Sequence, residues 1–255
     1  MVDVKERTIP IMDFKYPTPG GGDEDFDSFM RRISFMMALT EAAMDFLSLE
    51  ILNHIDEPEA AKNLVYYMLV EKDNEFDGIK IPKRELLGME VVYFLLVGKI
   101  GPLQKSLLVT NQMLEKWKMT EEELYKIAKE NTPKLFPKVL NNHADILEIR
   151  NVDLPDDFLA FDKIYTCTNQ TNQTGAISVF YDDMKQFFEE NEGYQIYILP
   201  YSRDFMILCM FKEKKVTEAI LNALKIMYKS LKKDQKPLSE NILFYNSLTK
   251  EIEIL

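Results

Sequence analysis

Cysteine and histidine are scarce: this chain of 255 residues holds two of each. So few cannot build a disulfide scaffold or fill a multi-Cys/His zinc site. Glycine and proline are modest at 9 and 11, which excludes collagen-like, low-complexity and disordered classes. Positive charge is short too. Lys and Arg number 31 against 42 Asp and Glu, a net −11, so broad phosphate binding is not expected, and with it no direct nucleic acid partner. The most apolar stretch, residues 33–47, is too short to span a bilayer and is broken by Thr40, Glu41 and Asp45. The N-terminus lacks the apolar segment of a secretory signal. A cytoplasmic protein with no membrane partner is therefore expected, in which the sequons at Asn169 and Asn172 carry no glycan. No Gly-x-Ser-x-Gly elbow, Walker loop or His-Glu-x-x-His motif occurs.

What is present is an ordinary globular mixture, 46% hydrophobic and 29% charged, long enough to bury a substantial core. The acidity is uneven: residues 1–60 hold 13 acids against 5 bases, and the remainder 29 against 26. Residues 17–25, PTPGGGDED, read as a linker that follows a short arm over 1–16, so 1–23 is arm and linker and 24–255 a single domain. A long helix is expected over 24–56, its start favoured by Asp23 to Asp27. Phe26, Met30, Ile33, Met37, Met44, Leu47 and Ile51 follow a seven-residue spacing, and Phe29, Met36, Ala43 and Phe46 make a second apolar face. A helix apolar on two sides either crosses the core or gives one stripe to a partner.

Pro58 is expected to open a second helix through YYMLVEK. MEVVYFLLVGKI allows strand or buried helix, and SLLVT reads as a strand. Asn111 is expected to cap QMLEKWK, in which Trp117 is structural, and Thr120 with Glu123 makes a capping box for a helix that Pro133 stops. LFPKVLNNHADILEIR reads as a further helix. KIYTCTN and AISVFY read as strands around QTNQTG, and YQIYILP with FMILCMF as a hairpin. DDMKQFFEENEG is helical with a glycine stop, VTEAILNALKIMYKSLKK is an amphipathic helix, and ILFYN and EIEIL are strands. The class is α+β: a helical N-terminal part followed by a mostly antiparallel sheet with interspersed helices.

Four segments carry a resemblance: VTNQMLEKWKMTEEELYKIAKENTPKLFP, TNQTNQTGAISVFY, YILPYSRDFMILCMF and LSENILFYNSLTKEIEIL. Together they resemble a bacterial family, domain of unknown function 5688, over roughly residues 58–255. The first is the most specific, with a strand, Thr-Asn, a Trp-bearing helix and Asn-Thr-Pro in fixed order. The long helix before residue 58 does not resemble the family's usual start. The resemblance implies a fold and a bacterial or phage origin, and no reaction.

Catalysis needs convergent polar groups with shifted pKa values. Asp182 and Asp183, and likewise Asp156 and Asp157, sit where helices start and suit capping. His54 ends the long helix, and His143 has no second ligand type in reach, so no metal is expected. Cys167 and Cys209 lie inside strand patterns, where thiols stay protonated. Asn111, Asn131, Asn169 and Asn172, with neighbouring threonines, offer uncharged donors and acceptors for recognition, against the plain alternative of turn and cap chemistry. The reading is a non-enzymatic protein without cofactor. It acts on a protein partner or as a homo-oligomer, through Met30, Met37 and Met44 on the long helix. The alternatives are a phage or mobile-element inhibitor whose acidic face imitates nucleic acid, and a hydrolase or transferase with a polar site outside known motifs.

Overall fold

The computed structural model describes residues 26–53, 55–100, 103–143, 161–212, 218–231 and 237–255. The expected linker at 17–25, His54, Asp156 and Asp157 lie outside them. The chain divides into two compact units, Met1–Ala43 and Met44–Leu255. The long helix expected near the N-terminus is α1 (Phe26–Asn53).

The second unit holds two sheets, and all strand pairs among the described residues are antiparallel. The first is built on β3 (Met89–Ile100), which takes β1 (Val65–Val70) on one edge. Its other edge takes β2 (Lys83–Leu86) and β4 (Leu103–Leu108). Leu87 and Gly88 make the tight β2–β3 turn with both φ values positive, 50° and 80°. A side chain at Gly88 would also meet Asn241 Nδ2 at 2.3 Å.

Every residue of β1 is buried. Val65, Tyr67 and Leu69 join a core with Trp117 and Leu124, while Met68 and Val70 face Ile81 and Val92. A strand covered on both faces shows no polar alternation, so the helix expected from Pro58 through this run is corrected. The helix there, α2 (Pro58–Lys62), ends after 5 residues.

α3 (Asn111–Trp117) is capped by Thr110, whose side chain accepts from Met113 N, so Asn111 is its first residue and not its cap. α4 (Glu121–Leu135) starts on the expected capping box. Pro133 does not stop it: the ring removes one N–H bond, while Ala128 and Thr132, buried, carry the helix on to Leu135.

The second sheet runs β10-β9-β7-β8-β6-β5. Its strands are β5 (Lys138–Asn142), β6 (Lys163–Asn169), β7 (Gln195–Leu199), β8 (Met206–Phe211), β9 (Leu243–Asn246) and β10 (Glu251–Ile254). The β7–β8 hairpin and the two last strands match expectation. β5 replaces the helix expected after Pro137, because it pairs along the edge of β6. AISVFY is no strand: Gly175–Phe180 is a buried 3-10 helix. At its start a Cβ on Gly175 would lie 2.4 Å from Thr168 Oγ1 and 2.6 Å from two backbone atoms, those of Asn169 and Asp204. α5 (Met184–Glu190) closes on Asn191, ahead of the expected glycine.

One face of this sheet, with Cys167, Ile198 and Leu208, shares the core of the first sheet. The other, with Tyr197, Leu199 and Cys209, is covered by Leu224 and Tyr228 of α6 (Glu218–Leu231). The class is α+β. The expected order of helices first and sheet later is corrected, since strands start at Val65 and helices are inserted between and after them.

Candidate functional site

The four asparagines expected to offer recognition are placed on three elements. Asn131 lies on α4 along the outer edge of β1. Its amide donates to the carbonyls of Lys62 and Val65, and Thr132 Oγ1 accepts from Tyr67 N at 3.2 Å. These bonds satisfy an edge that would otherwise present bare backbone. Asn169 is buried, and its side chain folds its own loop: Nδ2 donates to Gln173 O at 2.7 Å and Oδ1 accepts from Thr171 N at 2.9 Å. Thr168 Oγ1 donates to Asp204 O, and Asp204 Oδ1 accepts from Thr174 N. Asn172 is exposed in the same loop with φ 53°. Asn111 is exposed at the start of α3.

Of the methionines, Met37 is exposed at 68%, near Phe35 at 64% and Leu39 at 53%. The side chains of Met30 and Met44 lie outside the described residues. Ile51, on the same expected stripe, packs against the core.

The other titratable candidates are engaged in structure. Asp182 pairs with Lys185 and Lys129, and Lys138 donates to Asp183, which gives no side-chain cap to α5. His143 Nε2 lies 2.8 Å from Thr166 Oγ1. Burial pushes the Cys167 thiol up to about 12, and Cys209 also rises through burial. The two occupy opposite faces of one sheet and cannot pair. Among the described residues no group of three His, Cys, Asp or Glu could hold a metal ion, and no helix is long and apolar enough to cross a membrane.

Two charged clusters escaped the reading of the sequence. Arg203 forks onto Glu71 at 2.9 Å and Glu75 at 2.6 Å, tying the end of β1 to the β7–β8 connection. Burial pushes the Glu71 carboxyl up, but Arg203 outweighs it and holds the group below the usual glutamate range. Arg84 likewise forks onto Glu121 at 2.8 and 2.6 Å and lies 3.8 Å from the centre of the Tyr125 ring, while Tyr93 donates to the same carboxylate. Partners 28 to 132 residues apart leave no local spacing to read.

One concave feature among the described residues is an open hollow of about 360 Å³ lined by α2, α3, the turn that joins α3 to α4, and α4 itself. Trp117 is buried beneath it, with half-buried Met119 and Ile127, and the indole N–H is already spent on Ile55 O at 2.8 Å. Lys62, Lys118 and Lys126 stand around these residues. Glu123 also lines the hollow, and its carboxylate is committed to the Thr120 N–H and hydroxyl. Lys118 closes α3 in the left-handed region at φ 53°. A hollow with three ammonium groups and one committed carboxylate suits anion binding better than acid–base work, which needs titrating groups pushed apart.

A family model described as a family of unknown function, DUF5688, matches residues 11–247. The chain belongs to this family. The family match begins ahead of α1, which corrects the resemblance drawn only from residue 58 onward: the long helix falls inside the matched region. No curated protein and no solved structure matches the chain.

Proposed function

We propose that this member of the family is a non-enzymatic binding protein whose partner is another protein or a second copy of itself. The observation that carries the reading is the exposure of Phe35, Met37 and Leu39 on α1. Phe35 and Leu39, four residues apart, share one side of the helix, and Met37 stands on another. Large apolar side chains left in water on this scale favour a surface that a partner covers, and methionine adapts to varied surfaces. Glu41, exposed on the same helix, would border the contact and favour a basic partner. The cytoplasm fits this role, since both cysteines are free thiols buried in the protein.

Sedimentation of the wild type and of Met37→Glu tests the reading. Wild type is expected to self-associate or to capture a partner from its host, and Met37→Glu to do so more weakly while keeping its circular dichroism. A monomeric, partner-free wild type together with an unfolded Met37→Glu would make the helix face internal and end the proposal.

A further inference from the structure

We infer that the hollow lined by α2, α3 and α4 binds an acidic peptide segment, with an apolar side chain over Trp117, Met119 and Ile127 and its carboxylates among Lys62, Lys118 and Lys126. The lining leans towards such a segment in charge: it holds three lysines against one ionised carboxylate, Glu123, which faces the Thr120 cap and lies near Lys62 and Lys126. Lys118 makes the strongest case. It holds a left-handed φ of 53° at a helix end, a position where glycine is the default and a β-carbon costs stability. Its ammonium pairs with no carboxylate among the described residues. A lysine at such a position, with no carboxylate partner among the described residues, has a free charge to offer.

The other two lysines are easily recruited. Lys62 reaches Glu59 at 2.6 Å and Lys126 reaches Glu122 at 3.8 Å, with acid side chains 85% and 59% exposed. Such surface pairs contribute little and exchange readily for a ligand carboxylate. The apolar floor makes no polar demand, because the Trp117 indole N–H is already bonded. It therefore takes a hydrocarbon or aromatic side chain, which a bare inorganic anion lacks. The net charge of −11 opposes a polyanion such as nucleic acid and limits the ligand to a few carboxylates set between apolar residues. The site draws on residues 58–127 and on none of α1, so its failure leaves the reading of α1 standing.

Trp117 is the chain's single tryptophan, so its fluorescence reports on this hollow directly. The full chain would be titrated with the N-acetylated peptide Glu-Leu-Glu-Phe-Glu. Two matched peptides serve as controls, one with Gln for each Glu and one with Gly for Leu and Phe. A saturable change is expected with the first peptide, and binding roughly fivefold or more weaker with either control. Lys118→Gly should weaken binding by roughly the same factor while its melting temperature holds or rises, which separates lost binding from lost folding. Lys126→Gln, at an exposed position, repeats the test without touching a turn. No saturable change at millimolar peptide would overturn the inference. So would equal binding of the Gln peptide, unchanged binding in both lysine variants, or a response to inorganic phosphate or oligothymidylate that matches the peptide's.

Discussion

The loop over residues 169–175 and the hollow beside α3 are both rich in polar side chains, yet they spend them in opposite ways. In and beside the loop, Asn169 bonds to Gln173 O and to the Thr171 N–H and hydroxyl, and Thr168 and Thr174 bond to Asp204. Around the hollow, Lys118 has no carboxylate partner among the described residues, and Lys62 and Lys126 hold exposed ones. A polar cluster marks a binding site by the bonds it leaves unmade. Density alone marks a well-knit turn.

The contrast can be broken by substitutions in each region, and the largest effect is expected under the hollow. Trp117→Ala removes a buried indole and should cost about 3–5 kcal/mol in denaturant unfolding. Gly175→Val, in the loop, pushes a side chain into Thr168 Oγ1 and the Asn169 and Asp204 backbone, and should cost about 1–3 kcal/mol or more. Asn169→Ala leaves Gln173 O and Thr171 N short of partners in a buried loop, for a loss of about 1–3 kcal/mol. Arg203→Gln sharpens the comparison through pH. The Glu71 carboxyl sits below its ordinary value in the folded chain, so its stabilising contribution is present above the ordinary value and lost as pH falls through the folded one. Acid unfolding of Arg203→Gln, followed by circular dichroism, should therefore show a shallower loss in that window than wild type. Lys126→Gln, at the rim, should shift stability by no more than about 0.5 kcal/mol. A large loss there would mean that the rim lysines are structural like the loop asparagines.

Much of this architecture was legible in the sequence. The α4 capping box, the β7–β8 hairpin and the strands that end the chain each carry a local signal: a Thr-x-x-Glu, a turn between two apolar runs, alternation. β1 was not legible, because burial on both faces removes the alternation that distinguishes a strand. Nor was the 3-10 helix at Gly175, whose shape follows from a close approach to Asp204, a residue 29 positions away. The candidate site was less legible still. Lys62, Lys118 and Lys126 share no spacing, and only the fold of α2 onto the α3–α4 pair brings them to one hollow. Two of the asparagines conspicuous in sequence hold the fold together: Asn169 folds its own turn, and Asn131 closes the edge of a strand 66 residues away.

Cys167 and Cys209, buried back to back on the two faces of the second sheet, make the sheet its own stopwatch. A thiol reagent can reach Cys209 only when α6 lifts away, and Cys167 only when the core shared by both sheets opens. Single-cysteine variants labelled under native conditions would time these two openings separately. The ratio of their rates would say whether α6 detaches as an independent leaf or whether the second unit comes apart in one cooperative step.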